Sequence, residues 1–212
     1  MLLYYITDRA QFSGTEDQRR KHLLERIAEA ARIGIDYVQL REKDLSAAEL
    51  ESLAKDALRL IRESRSSTRL LINSRTDVAL AAGADGVHLR SSDISPGNVR
   101  SIWKMAGEND APMVAVSCHS EPEIILAENA GADFVVFGPV FEKRGPSPTP
   151  QGIDGLRQAC RHHVPVFALG GVTKENARAC MEAGARGIAG IRLFQEGKMH
   201  ATVAALRKLR RD

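Results

Sequence analysis

The chain has 212 residues, of which 43% are hydrophobic and 27% charged, and this composition is typical of a soluble domain with a substantial core. Its 30 basic residues are dispersed among 27 acidic ones, and the resulting net charge of +3 argues against a nucleic-acid partner. Three cysteines without metal-type spacing, the lack of an apolar run of about 18 residues and the short apolar start argue against zinc, a membrane span and secretion, so we expect a cytoplasmic protein.

Eight apolar runs along the chain have the length and composition of strands, and each is followed by a segment with helical spacing. The predicted strands cover Leu2 to Thr7, Tyr37 to Arg41, Leu70 to Asn73, Gly86 to Arg90, Met113 to Cys118, Phe134 to Pro139, Val166 to Leu169 and Gly187 to Ile191. The predicted helices cover about residues 16–33, 47–64, 77–82, 96–106, 121–130, 153–161, 174–183 and 200–210. Ser46 and Glu49 predict a capping box at the second helix. Residues 142–151 contain three prolines and predict a long surface loop.

An internal repeat accompanies this alternation. The segments ARIGIDYVQLR, LAAGADGVHLR, ENAGADFVVFGP and MEAGARGIAGIR each run from a helix end through a glycine into a strand, and their glycines are Gly34, Gly83, Gly131 and Gly184. The intervals of 49, 48 and 53 residues each span two strand and helix units. Repetition at every second strand favours a single (β/α)8 TIM barrel over residues 1–212, because barrel layers take residues from alternate strands. An open doubly wound sheet is the alternative.

Polar and small residues follow the predicted strands, and in such barrels the carboxyl ends of the strands carry the active site. The candidate residues are Gln39, Arg41 and Lys43 near the second strand, Asn73 after the third, Ser117 and His119 after the fifth, Gly138 after the sixth, Gly170 and Gly171 after the seventh, and Gly190 and Ile191 after the eighth. Small residues at the seventh and eighth strands let backbone N–H groups approach an anion, which predicts a phosphate site. A tight turn at Gly170 and Gly171 is the alternative.

Two further features indicate chemistry. Gln39, Arg41 and Lys43 alternate on one strand face and offer an amide and two cations to a second anionic or polar group; the alternative is a solvated strand end with Arg41 paired to a carboxylate. His119 shares a strand face with Ser117, and its imidazole suits general acid and base catalysis.

The fourth strand leads to different expectations. His88 lies deeper in that strand and is interpreted as a hydrogen-bonded core histidine. Asp93 follows the strand and is a candidate metal ligand, although a cap for the next helix is the simpler interpretation.

The motifs YYITDR, YVQLREKD, LLINSRTDVALAAGADGVHL, AVSCHS, ADFVVFGPVFE, ALGGV and AGARGIAGIR resemble those of the thiamine phosphate synthase and TenI superfamily across nearly the whole chain. The resemblance implies a (β/α)8 barrel that binds a small phosphorylated thiazole. It also implies one of two reactions: Mg2+-dependent coupling of a pyrimidine pyrophosphate to thiazole phosphate, or metal-free tautomerisation of a thiazole carboxylate phosphate. The family's S-x-H-S strand end corresponds to SCHS and assigns acid and base catalysis to His119.

Three departures from the synthase pattern favour the TenI-type tautomerase. Ser74 stands where the synthase has an aspartate that binds Mg2+, Arg90 stands where it has a glycine, and the loop FEKRGPSPTPQG replaces its Thr-x-Thr-Lys motif. We therefore expect no cofactor. The alternatives are a synthase, with Mg2+ and Asp93 as a ligand, and a non-catalytic thiazole or thiamine phosphate binding protein. The resemblance further implies a possible homodimer.

Overall fold

The computed structural model describes residues 1–142 and 149–209, and within these ranges eight parallel strands form a closed barrel in the order β1 to β8. The strands are β1 (Leu2–Ile6), β2 (Tyr37–Leu40), β3 (Arg69–Asn73), β4 (Gly86–Arg90), β5 (Met113–Cys118), β6 (Phe134–Phe137), β7 (Val166–Ala168) and β8 (Gly187–Gly190). β8 pairs with β1, with Leu3 opposite Ile188, and this pairing closes the barrel. The predicted (β/α)8 barrel is confirmed, and the alternative of an open doubly wound sheet is wrong.

Helices cover the outside of the barrel. They are α1 (Glu16–Arg32), α2 (Ala47–Glu63), α3 (Thr76–Ala82), α4 (Pro96–Met105), α5 (Glu121–Asn129), α6 (Gly152–Ala159), α7 (Ala177–Glu182), α8 (Arg192–Gln195) and α9 (Met199–Lys208). The predicted capping box is present at α2, where Ser46 and Glu49 bond to each other's backbone N–H groups. No helix in the described ranges is long and apolar enough to cross a membrane.

The predicted start of α7 is wrong, and the short helix α8 was not predicted. α7 begins at Ala177 rather than near Lys174, because the side chains of Thr173 and Asn176 bond to the backbone of the same turn and hold it out of the helix. No pattern in the sequence indicates α8, because four residues are too few to show helical periodicity. Most of the predicted loop over residues 142–151 lies outside the described residues.

The repeated glycines lie where a helix turns into an even-numbered strand. Gly34, Gly83, Gly131 and Gly184 precede β2, β4, β6 and β8, and all four have positive φ angles between 68° and 104°. A left-handed residue ends a helix at low steric cost only when it has no Cβ. The sequence repeat therefore corresponds to one type of helix-to-strand turn that occurs four times.

The core has two layers. One lies between strands and helices and takes residues such as Leu23 and Ile72, which are fully buried. The other fills the barrel interior, where the rings of Tyr4, Phe134 and Phe167 pack with centroids 4.6 to 6.1 Å apart. Aromatic rings at these separations fill the end of the barrel interior that lies towards the amino ends of the strands. The carboxyl end of the barrel is left open for polar groups.

Candidate active site

The carboxyl ends of the strands open into a cavity of about 1110 Å³. Sequence-predicted residues that line it are Gln39, Arg41, Lys43, Asn73, Ser117, His119, Gly170, Gly171, Gly190 and Ile191. Gly138 does not line the cavity, but its carbonyl oxygen bonds to the His119 ring. The fold thus brings together residues that are up to 152 positions apart in sequence, from Gln39 to Ile191. A cavity of this size is ample for a small phosphorylated ligand.

Two cations project into the cavity from the end of β2. Arg41 and Lys43 line the cavity, whereas Glu42 between them is buried on the opposite side. The Glu42 carboxylate accepts hydrogen bonds from the Thr7 hydroxyl at 2.6 Å and from the Arg9 guanidinium at 3.1 Å. Because Glu42 is held on the far side, alternation along the chain directs its two neighbours inward.

The positive charge of these cations is not neutralised within the described part of the chain. Neither Arg41 nor Lys43 has a carboxylate within salt-bridge distance among those residues, so the predicted alternative of a paired Arg41 is not observed there. Repulsion from Arg41, followed by partial burial and the more distant Arg90, lowers the pKa of Lys43. Two mutually repelling cations without a carboxylate partner among the described residues favour an anionic ligand.

Glycines bring the backbone close to the cavity at the ends of β7 and β8. Gly170 and Gly171 have φ angles of 95° and 65°, in the region that favours glycine. A Cβ at Gly171 would lie 2.4 Å from the Glu142 carbonyl oxygen, and one at Gly190 would lie 2.9 Å from the Leu193 Cβ. Gly171 therefore favours glycine on both conformational and steric grounds, and Gly190 on steric grounds alone. The same absence of side chains leaves the backbone accessible to an anion.

His119 is exposed at the end of β5 and is oriented by two hydrogen bonds. Its Nδ1 bonds to the Gly138 carbonyl oxygen, and its backbone N–H donates to the Glu123 carboxylate. A carbonyl oxygen only accepts, so the proton of the neutral ring is on Nδ1 and the lone pair is on Nε2. His119 therefore presents to the cavity a nitrogen that can accept a proton and return it.

Ser117 lines the same cavity but bonds to a different histidine. Its hydroxyl lies 2.7 Å from Nε2 of His88, whose Nδ1 lies 2.9 Å from the Tyr4 hydroxyl. The Gln39 amide donates to that same Tyr4 oxygen at 3.1 Å. Burial, with a smaller effect of Arg41, lowers the pKa of His88 to about 3, so the ring is neutral at neutral pH. The interpretation of His88 as a hydrogen-bonded core histidine is confirmed.

Asp93 is engaged by neighbouring donors and does not cap the next helix. The cap of α4 is Ser95, whose hydroxyl accepts from the Asn98 backbone N–H at 3.2 Å, so the predicted capping role of Asp93 is wrong. One Asp93 oxygen accepts from Nε and Nη2 of Arg90 at 3.0 and 2.8 Å. The other accepts from the Arg90 backbone N–H at 2.8 Å and the Ser74 hydroxyl at 2.6 Å.

These bonds decide how well the cluster suits Mg2+. Burial alone would raise the pKa of the Asp93 carboxyl, but the hydrogen bonds from Arg90 and Ser74 outweigh it and hold the pKa below its usual range. Mg2+ requires oxygen ligands, with carboxylates supplying its charge balance. Here the single carboxylate is neutralised by a guanidinium, and the described residues contain no group of three or more His, Cys, Asp or Glu side chains placed to hold a metal ion. The residues present do not fit a Mg2+ site.

The structure adds cavity residues that sequence analysis missed. Thr173 and Lys174 line the cavity from the turn after β7, and Arg192 lines it from the start of α8. The Lys174 position was hidden because that segment was assigned to a helix. The position of Tyr4 in the barrel interior could have been predicted, because Tyr4 lies two residues before Ile6 on the strand face that lines this interior.

Comparisons with known proteins agree with this architecture. The TMP-TENI family model, described as thiamine monophosphate synthase, matches residues 3–194. A protein of Aquifex aeolicus named "Putative thiamine-phosphate synthase 2" is 38% identical over 92% of this chain and 97% of that protein. A "Putative thiamine-phosphate synthase" of Geobacter sulfurreducens is 41% identical over 88% and 83% of the two chains. The structure of thiamine phosphate pyrophosphorylase from Pyrococcus furiosus superposes with a TM-score of 0.81 at 30% identity, covering 98% and 94%.

These names correspond to the synthase alternative rather than to the tautomerase favoured by the sequence motifs. They do not distinguish the TenI-type branch within the family. The match over most of the chain, together with the barrel and its cavity, shows that the chain belongs to the TMP-TENI family of thiamine biosynthesis.

Proposed function

We propose that the chain is a thiazole tautomerase, which aromatises a thiazole carboxylate phosphate by proton transfer through His119. The observation that carries this proposal is the orientation of His119, whose Nδ1 is held by the Gly138 carbonyl while the ring lines the cavity. Tautomerisation needs one group that removes a proton from a ring carbon and delivers it to the exocyclic position. A neutral imidazole with a free Nε2 lone pair does both in turn.

The other cavity groups hold the two anionic ends of this substrate apart. The phosphate binds at the backbone of Gly170, Gly171 and Gly190, and the carboxylate binds at Arg41 and Lys43. Both cations lack a carboxylate partner in the described ranges, so binding does not first require an ion pair to break. Anchors at the ends of β2 and of β7 and β8 fix the ring between them, and His119 lines the same cavity.

The Asp93 cluster supports the same assignment. Departure of pyrophosphate requires neutralisation of the charge that develops on it. In this chain the one carboxylate at the relevant strand ends, Asp93, is already paired with Arg90 and bonded to Ser74. Proton transfer needs neither a metal nor a leaving group, and the cluster does not hinder it.

Thiamine phosphate synthase is the second candidate, and the names of the relatives favour it. The cavity also retains Gln39, Arg41 and Lys43, which suit a pyrophosphate as well as a carboxylate. For this reaction the protein would have to form a Mg2+ site despite the contact between Arg90 and Asp93. That requirement makes the two candidates separable by experiment.

The deciding experiment supplies purified protein with dihydrothiazole carboxylate phosphate and follows aromatisation by ultraviolet absorbance. Parallel samples receive pyrimidine pyrophosphate, thiazole phosphate and Mg2+, and are assayed for thiamine phosphate. The test variant is His119→Asn, and the control is His163→Asn, an exposed histidine before β7 at the opposite end of the barrel. The tautomerase proposal requires aromatisation that His119→Asn loses and His163→Asn keeps.

Other outcomes contradict the proposal in distinct ways. Thiamine phosphate formation without His119-dependent aromatisation would establish the synthase. Tight binding of thiazole phosphate with neither reaction would indicate a binding protein.

A further inference from the structure

A buried chain of hydrogen bonds crosses the floor of the cavity and is not used by the proton transfer at His119. It runs from the Gln39 amide through the Tyr4 hydroxyl to Nδ1 of His88, and from Nε2 of His88 to the Ser117 hydroxyl. Tyr4, Gln39 and His88 are at most 3% exposed, whereas Ser117 is partly exposed and lines the cavity. Gln39 and His88 also line the cavity but are almost fully buried, so Ser117 is the member of this hydrogen-bond chain that is most accessible to a ligand.

The neutral His88 ring makes the hydrogen bonds on its two sides run in the same donor-to-acceptor direction. A neutral imidazole has one N–H donor and one lone pair, so the two bonds it makes must run in the same sense. Gln39 donates through Nε2 to the Tyr4 oxygen, and the buried Tyr4 hydroxyl, which has no other acceptor among the described residues, donates its own proton to Nδ1 of His88. The ring proton is then on Nε2 and is donated to the Ser117 oxygen. The Ser117 proton is left to point elsewhere.

We propose that Gln39, Tyr4 and His88 fix Ser117 as a hydrogen-bond donor to the ligand, and that the site selects ligands with an acceptor atom at this position. For the substrate named above, on whose identity this inference rests, the acceptor is a carboxylate oxygen or the ring nitrogen. Ser117 lies two residues before His119 on one strand face, so its donor reaches the part of the ligand next to the reacting atoms. His88 and Tyr4 are positioning residues that act through Ser117.

The hydrogen-bond chain from Gln39 to Ser117 does not serve as a proton relay. If Ser117 gave its proton to the ligand and was resupplied through His88, the deficit would end on Tyr4 as a phenolate. Burial, which outweighs the hydrogen bond from Gln39, raises the pKa of Tyr4 far above its usual value. A phenolate at this site is therefore too costly, and the chain orients Ser117 without losing a proton.

The first test reads the tautomer of His88 directly. The 15N and 13Cδ2 chemical shifts of the labelled imidazole distinguish Nε2–H from Nδ1–H, and we expect Nε2–H in the unaltered protein. Gln39→Glu replaces the donor amide by a carboxylate of the same shape that only accepts. Tyr4 then donates to position 39, the chain reverses, and the His88 proton moves to Nδ1. An Nδ1–H form in the unaltered protein, or an unchanged tautomer in Gln39→Glu, would overturn the proposal.

The second test measures the coupling between Tyr4 and Ser117 through the affinity for aromatic thiazole carboxylate phosphate. Ser117→Ala removes the donor, and we expect a loss of about 3- to 10-fold, the range of one hydrogen bond. Tyr4→Phe keeps the packed ring but removes the hydroxyl that fixes the tautomer of His88, and we expect a smaller loss of affinity than for Ser117→Ala. If Tyr4 acts through Ser117, then Tyr4→Phe has no further effect once Ser117 is alanine.

Tyr5→Phe is the matched control, because Tyr5 is the next residue, is equally buried and bonds through its hydroxyl to Gln195 rather than to the chain. It must leave the affinity unchanged. Equal losses for Tyr4→Phe with and without Ser117 would show a purely structural effect and refute the coupling. Failure of the unaltered protein to bind the probe would refute the proposed function and, with it, the ligand role of Ser117, while the tautomer measurement would still decide the polarity of the chain.

Discussion

Exchange of the ion pair at β4 for a second carboxylate is expected to create a Mg2+ site at Asp93. The perturbation combines Ser74→Asp with Arg90→Gly. It removes the guanidinium that bonds to Asp93 at 2.8 and 3.0 Å and places a carboxylate where the Ser74 hydroxyl now lies, 2.6 Å from Asp93. In the unaltered protein we expect no response to Mg2+ because Asp93 is already neutralised.

The magnitude follows from the separation of the two carboxylates. Two negative charges about 4 Å apart repel by about 4 kcal/mol at an effective dielectric constant of about 20. Without metal, this repulsion raises the pKa of one carboxyl by about 3 units and destabilises the fold. Mg2+ at about 100 times its dissociation constant contributes about 2.7 kcal/mol. For a chain of this size, that stabilisation raises the melting temperature by about 5 to 10 °C.

The assay is thermal unfolding followed by circular dichroism, with and without MgCl2. Ser74→Asn combined with Arg90→Gly is the control, because the introduced amide has the same shape as the carboxylate but no charge. We expect Mg2+ to stabilise only the protein with the new carboxylate. An equal Mg2+ response in the unaltered protein would refute our account of the cluster, as would no response in the doubly substituted protein.

Three further predictions concern the cavity and its support. His119→Asn should lower the rate of aromatisation by about 10²- to 10⁴-fold with little change in affinity, as measured by steady-state kinetics and calorimetry; an equal loss of affinity would contradict a role in proton transfer. Arg41→Gln and Lys43→Gln should each weaken binding of the carboxylate-bearing ligand by about 10-fold or more, and by less for thiazole phosphate without the carboxylate. Arg9→Met should cost about 3 kcal/mol in denaturant unfolding, because it leaves the buried Glu42 without its cation. Burial already raises the pKa of Glu42. A carboxyl whose pKa is higher in the folded than in the unfolded state makes the fold less stable as pH rises above the unfolded pKa. The loss of unfolding free energy in Arg9→Met should therefore become smaller as the pH falls towards 4.5.

Association into a homodimer, implied by the family resemblance, remains a prediction. Sedimentation of the purified chain would test it directly.

The sequence by itself determined the barrel. Apolar runs of strand length located the eight strands, and period-3.6 patterns located the helices that cover them, because the burial of an element determines which of its neighbouring residues are apolar. The glycines from Gly34 to Gly184 marked every second unit because a left-handed residue at a helix end favours glycine. Placement of His119 and Ser117 at the end of β5 followed from the same local logic.

Only the tertiary structure decided which side chains bond to one another. Asp93 was expected to cap α4, which begins three residues further on, yet its partners are Arg90 and Ser74, and Ser74 comes from another strand end. Tyr4 and His88 lie 84 residues apart, and their hydrogen bond depends on barrel closure, since β1 and β4 face each other across the interior. Local pattern specifies the face on which a residue lies. The partner on that face is set by strand order and register, which no short stretch of sequence contains.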